Sequence, residues 1–351
     1  MFLARTLAEK GLRVDLVVAR KIGDLIDEPL PGVNKVDLGA MNEMLAAPAW
    51  IRYLRRARPR CAMSMIHSAN LISGIGAVVV PEVPVIVNLR IAAQTHPTVQ
   101  WWFRSWFGFK PEGHLYQRVA RVVGLSRGVA SEAVEVFGVD PTRTRAILNP
   151  WQAWSGSLDI ASEHERLFAK PVVLGIGRLA PQKHFSMLLE AFSKVAESRD
   201  LHLVVLGQGP ERDILMERAK ALGISDRVFF PGFVPNPQAY LRRARIFAFS
   251  SRNEGFGMAL VEAMSAGTAI VSTDCPHGPS EVLDDGRFGQ LVPVGDASAF
   301  AAALESELDS PDVGHAARRE ARAEWMKQFE PEYVTRQYFD LIREVIAEHE
   351  G

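Results

Sequence analysis

The sequence predicts an α/β protein of two doubly wound domains, each a parallel sheet with helices on both faces. Three observations carry this. From about residue 171 to 295, short β-branched runs alternate with helical patterns, and strand–helix alternation at that spacing builds a parallel sheet covered on both faces. The first 150 residues alternate in the same way, more loosely. Between the halves stands Ile147-Leu148-Asn149-Pro150, and Asn-Pro does not readily continue a helix, so it reads as a connector.

Taken in order, the chain opens in a helix, Met1–Lys10, ended by Gly11. A doubly wound domain ordinarily starts with a strand and a glycine-rich turn. The first domain is therefore expected to lack its usual first strand. Strands follow at Val14–Ala19, Lys35–Leu38, Ala62–Ile66, Val83–Asn88 and Val122–Leu125, with helices near 44–57, 68–80, 113–121 and 127–137. In the second domain the strands are Val172–Gly177, His202–Gly207, Val228–Pro231, Ile246–Ser250, Ala269–Thr273 and Gln290–Pro293. Its helices lie near 184–197, 210–222, 237–244, 257–266 and 279–284, the second bracketed by Pro210 at its first position and Gly223 after its end. From 296 onward the pattern is helical, and the last segment, 331–351, is expected to reach back to the first domain. The expected boundaries are 1–150, 151–330 and 331–351.

Composition narrows the class. With 351 residues, 48% of them hydrophobic and 23% charged, the chain has room for two cores and the balance of a soluble globular protein. Cys61 and Cys275 lie far apart, which implies no disulfide framework and a reducing compartment. Neither CxxC nor His-x-x-x-His spacing is present to indicate zinc, and no metal site is expected. No apolar run reaches membrane-spanning length and no signal peptide precedes the first helix, so the expected location is cytoplasmic. The net charge of −1 conceals an asymmetry, +7 over residues 1–150 and −8 over 151–351. A basic first half suits an anionic substrate or an anionic membrane surface; complementary halves facing each other account for it equally well.

In open α/β sheets, ligands bind beyond the carboxyl ends of the strands. In the second domain those ends read Gly175-Ile176-Gly177-Arg178 with Lys183 beyond, Gly207-Gln208-Gly209-Pro210, Gly232-Phe233-Val234, Glu254-Gly255-Phe256-Gly257, and Cys275-Pro276-His277-Gly278-Pro279-Ser280-Glu281. Taken singly, each is weak. Arg178 reads as a surface cation, Lys183 is uninformative, a helical Glu is a good helix former, and Gly207-x-Gly209 is turn-like. Five such loops in succession at one sheet edge point to a nucleotide-type site. Arg178 and Lys183 can neutralise a diphosphate. Backbone N–H groups at 255–257 and 278–280 can hold phosphate oxygens. Phe233 or Val234 could line an apolar slot for a base. The helix after Gly257 reads Met-Ala-Leu-Val-Glu-Ala-Met-Ser-Ala, small or apolar except for Glu262. A lone carboxylate on such a helix is buried or lines a cleft, and needs a hydrogen-bond partner such as vicinal hydroxyls.

These residues resemble glycosyltransferase family 4, retaining enzymes of the GT-B fold, with two Rossmann-like domains facing a central cleft. The matching stretches are Gly-Ile-Gly-Arg-Leu-Ala-Pro-Gln-Lys (175–183), Leu-Gly-Gln-Gly-Pro (206–210), Glu-Gly-Phe-Gly-Met-Ala-Leu-Val-Glu-Ala-Met-Ser-Ala-Gly (254–267) and Gly-Pro-Ser-Glu-Val (278–282). The Glu-x₇-Glu pair, Glu254 and Glu262, is the most specific. Asn149-Pro150 looks like the family's interdomain junction, and Val123-Gly124-Leu125-Ser126 like the last strand of its first domain, with Ser126 capping the next helix. The resemblance implies a nucleotide-diphosphate sugar on the second domain and an acceptor held mainly by the first. It implies that Arg178 and Lys183 contact the diphosphate, Glu262 the ribose and Glu254 the donor sugar. Phe256, Gly257, Pro279 and Ser280 would contact sugar or phosphate through their amides. It implies retention by front-face attack, with no metal and no cofactor. The Cys-Pro-His-Gly-Pro-Ser-Glu loop looks closest to members using UDP-hexoses or UDP-N-acetylhexosamines in envelope polysaccharide assembly.

The sequence departs from the pattern on the acceptor side. Many members carry a histidine after the strand that corresponds to Val83–Leu89; here the chain reads Asn88-Leu89-Arg90-Ile91. Arg90 is the candidate replacement, with His67 and His96 nearby. Residues 99–110 hold Trp101, Trp102, Trp106 and three Phe beside Arg104 and Lys110. That mixture suits a membrane interface and a lipid-linked acceptor, placing the protein peripherally on the inner face of the cell membrane. A buried aromatic cluster under a long loop is the other reading. Two alternatives to transfer share the architecture: a sugar-nucleotide epimerase, and a truncated, inactive nucleotide-sugar-binding protein.

Overall fold

The computed structural model describes residues 1–21, 29–41, 43–90, 111–310 and 319–351. The chain divides into two compact units, Met1–Pro150 with Pro331–Gly351, and Trp151–Glu330.

Unit 1 runs α1 (Phe2–Glu9), β1 (Val14–Val18), β2 (Val33–Asp37), α2 (Ala47–Ala57), β3 (Ala62–Ser64), α3 (His67–Val79), β4 (Val85–Leu89), α4 (Pro111–Tyr116), β5 (Arg121–Gly124), α5 (Arg127–Phe137) and β6 (Thr144–Ala146). The helical pattern over 44–57 divides into a 3₁₀ turn, Glu43–Ala46, and then α2, because Pro48 restarts the helix in its first turn. β6 escaped the sequence reading because Thr-Arg-Ala offers no apolar run. All pairings are parallel, but the described strands form two sheets, β1-β2 and β3-β4-β5-β6, rather than the single sheet expected. Among the described residues no ladder joins β1 or β2 to the four-stranded sheet. Asp15 of β1 accepts from Asn34 of β2 at 3.0 Å and ties the small sheet to α2 by accepting from the Tyr53 hydroxyl at 2.6 Å.

Unit 2 runs β7 (Val172–Ile176), α6 (Phe185–Ala196), β8 (His202–Leu206), α7 (Arg212–Ala221), β9 (Val228–Gly232), α8 (Pro237–Arg243), β10 (Ile246–Phe249), α9 (Met258–Ala266), β11 (Ala269–Thr273), α10 (Pro279–Val282), β12 (Gln290–Val292), α11 (Ala297–Asp309) and α12 (Arg319–Met326). Its six strands are parallel in the order β12-β11-β10-β7-β8-β9. Residues from β7, β8 and β10 interlock with α6, α7 and α11 in one buried core. Pro210 sits in the turn before α7, not at its first position; the N-cap residue is Glu211, whose N–H donates to the Leu179 carbonyl. Gly223 closes it in the left-handed conformation, φ +70°.

The last helix, α13 (Pro331–Glu350), belongs to unit 1. Val334, Tyr338, Leu341, Ile342 and Val345 form one stripe that packs with Leu7, Ile86 and Val123. Burying an aliphatic side chain of this size contributes about 1.5–3 kcal/mol before entropy is counted. A polar network pins the same helix. The Tyr338 hydroxyl donates to Asn88 Oδ1 at 2.8 Å, Asn88 Nδ2 donates to the Ser64 carbonyl at 2.8 Å, and Asn70 Nδ2 donates to the Asn88 carbonyl at 2.7 Å. All four residues are buried, at the carboxyl ends of β3 and β4.

Arg121 supplies a second anchor. Its side chain is 8% exposed and pairs with Glu344 at 2.7 Å and Glu348 at 2.6 Å. The carboxylates are far more exposed, at 42% and 54%, so the two sides of the pair are not equivalent. Losing both carboxylates strands a buried guanidinium; losing the arginine leaves two carboxylates that water can solvate. We expect Glu344→Gln/Glu348→Gln to cost about 3–5 kcal/mol and Arg121→Met roughly 1 kcal/mol. Thermal melts of unit 1's far-UV signal would read this, and equal losses would contradict it. Hydrogen bonding from Arg121 holds the Glu344 carboxyl below the usual range. Its contribution is therefore complete above the ordinary glutamate range and is lost as pH falls through the lowered value. Among the described residues no helix is long and apolar enough to cross a membrane.

Candidate active site

In unit 2 the chain moves outward from β7 through β8 to β9, then returns to lay β10 on the other side of β7. β7 and β10 therefore flank the topological switch point, where open α/β sheets bind ligands. The loops beyond these two strands carry Lys183 and Glu254. The Lys183 ammonium meets Glu254 Oε1 at 2.5 Å, and Ser251 Oγ donates to the same oxygen at 2.8 Å. Lys183 is 19% exposed and Glu254 11%, so the pair is largely desolvated. The ammonium also lies 5.2 Å from the Phe249 ring centroid, a cation–π contact.

Glycines let the neighbouring loops close on this pair. The N–H of Gly207 donates to Gly232 and that of Leu179 to Gln208. A Cβ on Gly207, at φ +130°, would lie 2.0 Å from the Gly177 carbonyl oxygen. On Gly209 it would lie 2.3 Å from the Leu179 oxygen. On Gly278, φ +136°, it would lie 2.2 Å from the Phe256 oxygen. The Glu254 N–H donates to the Pro276 carbonyl. In sheet order, from β9 through β8, β7 and β10 to β11, each of these loops thus touches the next, backbone against backbone.

Glu262 lies in the second turn of α9, behind the Gly255-Phe256-Gly257 turn whose Gly257 adopts φ +91°. Burial pushes its carboxyl pKa up, and no described side chain or backbone group bonds to that carboxylate. A desolvated carboxylate of this kind gains from a hydroxyl-bearing ligand. Arg178 is exposed after β7 and meets no carboxylate among the described residues. Cys275 is buried beside the ion pair; burial, assisted by the Glu254 charge, raises its thiol to about 12, so it is a packing thiol rather than a nucleophile.

The other sequence-predicted residues divide. Gly255, Phe256 and Gly257 open α9, and Pro279 and Ser280 open α10, as the pattern required. The Phe256 ring is 2% exposed and packs on Phe329 at 5.7 Å between centroids, so only its backbone is placed for a ligand. Phe233 is 71% exposed, whereas Val234 is 8% exposed and packs in the core. In unit 1, Arg90 is exposed beyond β4 and donates to Asn149 Oδ1 at 2.7 Å. His67 is half-buried at the first position of α3. His96 and the Trp101, Trp102 and Trp106 segment lie outside the described residues. Sequence reasoning passed over Ser251, His184 and Arg252, which the fold brings to the switch point; each adjoins, or lies within three residues of, a residue it did single out.

Residues 1–151 match the model described as Glycosyltransferase Family 4, and residues 160–324 match that of Glycosyl transferases group 1. The chain is thus built of two glycosyltransferase domains in succession, the first of family 4 and the second of group 1. The chain is 27% identical over 213 residues to the N-acetylgalactosamine-N,N'-diacetylbacillosaminyl-diphospho-undecaprenol 4-alpha-N-acetylgalactosaminyltransferase of Campylobacter jejuni, covering 59% of this chain and 56% of that protein. It is 34% identical over 172 residues to a lipopolysaccharide core biosynthesis glycosyltransferase of Rhizobium meliloti, covering 49% of each chain. It thus spans about half the length of the curated relatives it matches. The solved structure of Anabaena HepE in complex with UDP superposes with a TM-score of 0.79 at 18% identity, over 98% of this chain and 94% of that one. The two parallel-sheet α/β units have the GT-B fold.

Proposed function

We propose that this glycosyltransferase is a retaining, metal-independent enzyme that transfers sugar from a UDP-hexose or UDP-N-acetylhexosamine to a glycan or polyprenyl-linked acceptor in polysaccharide assembly. The observation that carries the reading is the arrangement at the switch point: a desolvated Lys183–Glu254 pair and, on the next helix, the Glu262 carboxylate, which has no partner among the described residues. Glu262 accepts from the ribose diol. Arg178 and Lys183 face the diphosphate and offset the charge that grows on the departing UDP, the task a divalent ion performs elsewhere. Glu254, one of whose oxygens already takes Lys183 and Ser251, orients the sugar hydroxyls with the other. The bond from the anomeric carbon to the β-phosphate oxygen breaks as the acceptor oxygen bonds to the same face. The acceptor's proton passes to the leaving phosphate, so no carboxylate nucleophile is required. Neither an epimerase nor an inert binding protein is favoured by any observation at this site.

A thermal-shift panel of UDP-, GDP- and ADP-sugars, followed by product analysis with lipid-linked acceptors, tests the reading. UDP-sugars should stabilise unit 2 most. Glu262→Ala removes a charged acceptor whose hydrogen bonds contribute about 1.5–3 kcal/mol, so donor Kd should rise roughly ten- to hundredfold. Wild-type affinity in that variant would refute the ribose assignment. The reading places the protein in the cytoplasm, against the inner face of the membrane, with its basic first half toward anionic lipid. Failure of the wild type to float with anionic vesicles would remove the membrane part alone.

A further inference from the structure

The loops that carry Lys183 and Glu254 are fastened together by more than their ion pair. The Arg252 N–H donates to the Gln182 carbonyl at 2.8 Å, and Gln182 Nε2 donates to the Asn253 carbonyl at 2.9 Å. Ser250 Oγ donates to the Lys183 carbonyl at 2.7 Å. One further contact joins side chains: Arg252 Nη2 lies 2.8 Å from His184 Nε2. A guanidinium has donors only and stays charged. His184 Nε2 must therefore accept, which makes the ring neutral with its proton on Nδ1. That Nδ1 is buried and meets no acceptor among the described residues.

The backbone at His184 is also unusual. It sits at φ +50°, closing the 3₁₀ turn Pro181–Lys183 and opening α6. A non-glycine residue in the left-handed region is strained and persists where its surroundings hold it there. The same residue thus ends the turn that carries Lys183 and reaches across the switch point to the loop that carries Glu254.

We propose that His184 and Arg252 are positioning residues: the neutral imidazole, gripped by the guanidinium, sets the Lys183 ammonium and the Glu254 carboxylate at the spacing the donor requires. This rests on the donor reading given above. The charged groups around the ring are Arg252 and neighbouring Lys183, Glu190 on α6, which is bonded to Arg218, and Asp296 beside Gly295, which caps α11. Burial and the Arg252 charge hold the His184 pKa below its usual value, against a smaller opposing pull from Glu190. Protonation would remove the acceptor and set two cations against each other. The clasp is intact at neutral pH and opens as pH falls below the ordinary histidine range, about 6.5.

The test uses the whole chain as wild type, Arg252→Ala and His184→Asn, since asparagine tolerates the left-handed backbone while removing the ring. Hydrogen exchange of the ligand-free protein reads the loops, and calorimetric titration with UDP-glucose reads the site, both at about pH 7.5 and about pH 5.5. UDP-glucose has no phosphate that titrates in this window. At the higher pH both variants should exchange the amides of residues 182–186 and 250–254 several-fold faster than wild type and bind UDP-glucose on the order of tenfold more weakly. Wild-type affinity should fall toward theirs at the lower pH, while theirs stays flat. Unchanged exchange overturns the proposal; so does faster exchange with wild-type affinity and wild-type pH dependence. If the wild type itself does not bind UDP-glucose, the donor reading fails, and exchange alone then decides whether the clasp exists.

Discussion

Glu254→Gln is expected to lower transfer by roughly 10²–10³-fold while leaving UDP affinity intact or improved. The split between kcat and binding follows from the ion pair. In the ligand-free protein Glu254 is the counter-charge of Lys183, at 2.5 Å in a site where both are largely desolvated. Neutralising Glu254 leaves the ammonium over the Phe249 ring but without a counter-anion. A diphosphate then meets a cation that has no competing carboxylate. The sugar, in contrast, loses the acceptor that orients its hydroxyls, and a reacting carbon misplaced by a fraction of an ångström loses rate steeply. Calorimetry with UDP and initial rates with a UDP-sugar separate the two effects. A Glu254→Gln enzyme with wild-type kcat would remove Glu254 from the reaction, and one that no longer bound UDP would show the pair to be structural. Lys183→Met should do the reverse and weaken UDP first.

The largest structural effect is expected at Gly207. Its added Cβ would lie 2.0 Å from the Gly177 carbonyl oxygen, at a φ of +130° that side-chain-bearing residues rarely adopt. The clash is backbone against backbone, and both strand ends are held: the Gly177 N–H donates to Leu206 at 3.0 Å and the Gly207 N–H to Gly232 at 2.8 Å. Relief therefore requires parting β7 from β8 where the diphosphate loop begins. We expect Gly207→Ala to cost about 3 kcal/mol or more, combining overpacking with conformational strain, and to abolish the thermal shift that UDP produces. Gly223→Ala is the control. It also has positive φ, +70°, but nothing stands within 4 Å of the added carbon. Its cost should stay near the roughly 1–2 kcal/mol of a left-handed residue, with UDP binding retained. Equal Tm losses in the two variants would mean that conformation rather than contact dominates at Gly207.

The second unit was legible in the sequence because its signals are local. The strand Ala269–Thr273 and the helix ending at Ala266 before Gly267 follow from β-branched and small-residue patterns that act within one element. Where a boundary moved, as at Pro210, the turn chemistry permitted two starts and the loop's packing against Leu179 selected the later one. Unit 1 was less legible. Thr144–Ala146 is a strand because it completes the edge of β5, not because its residues ask to be one. Of the neighbours Phe233 and Val234, apolarity could not say which would enter the core; the path of the chain after β9 decided for Val234.

The sequence by itself determined which residue types stand at each strand end: Arg178 and Lys183 after one strand, glycines after the next, the Glu254–Glu262 pair around a helix start. Those are properties of short segments, written in propensity, period and spacing. Only the tertiary structure decided which of them meet. Lys183 and Glu254 are 71 residues apart and pair because β10 returns to lie against β7. Arg252 reaches His184 for the same reason. Glu262 became a desolvated carboxylate through the packing of α9, and α13 joined unit 1 through Arg121 and Tyr338. Strand order is a long-range choice made by the burial of whole elements, so contacts across the switch point exist only once the sheet has closed.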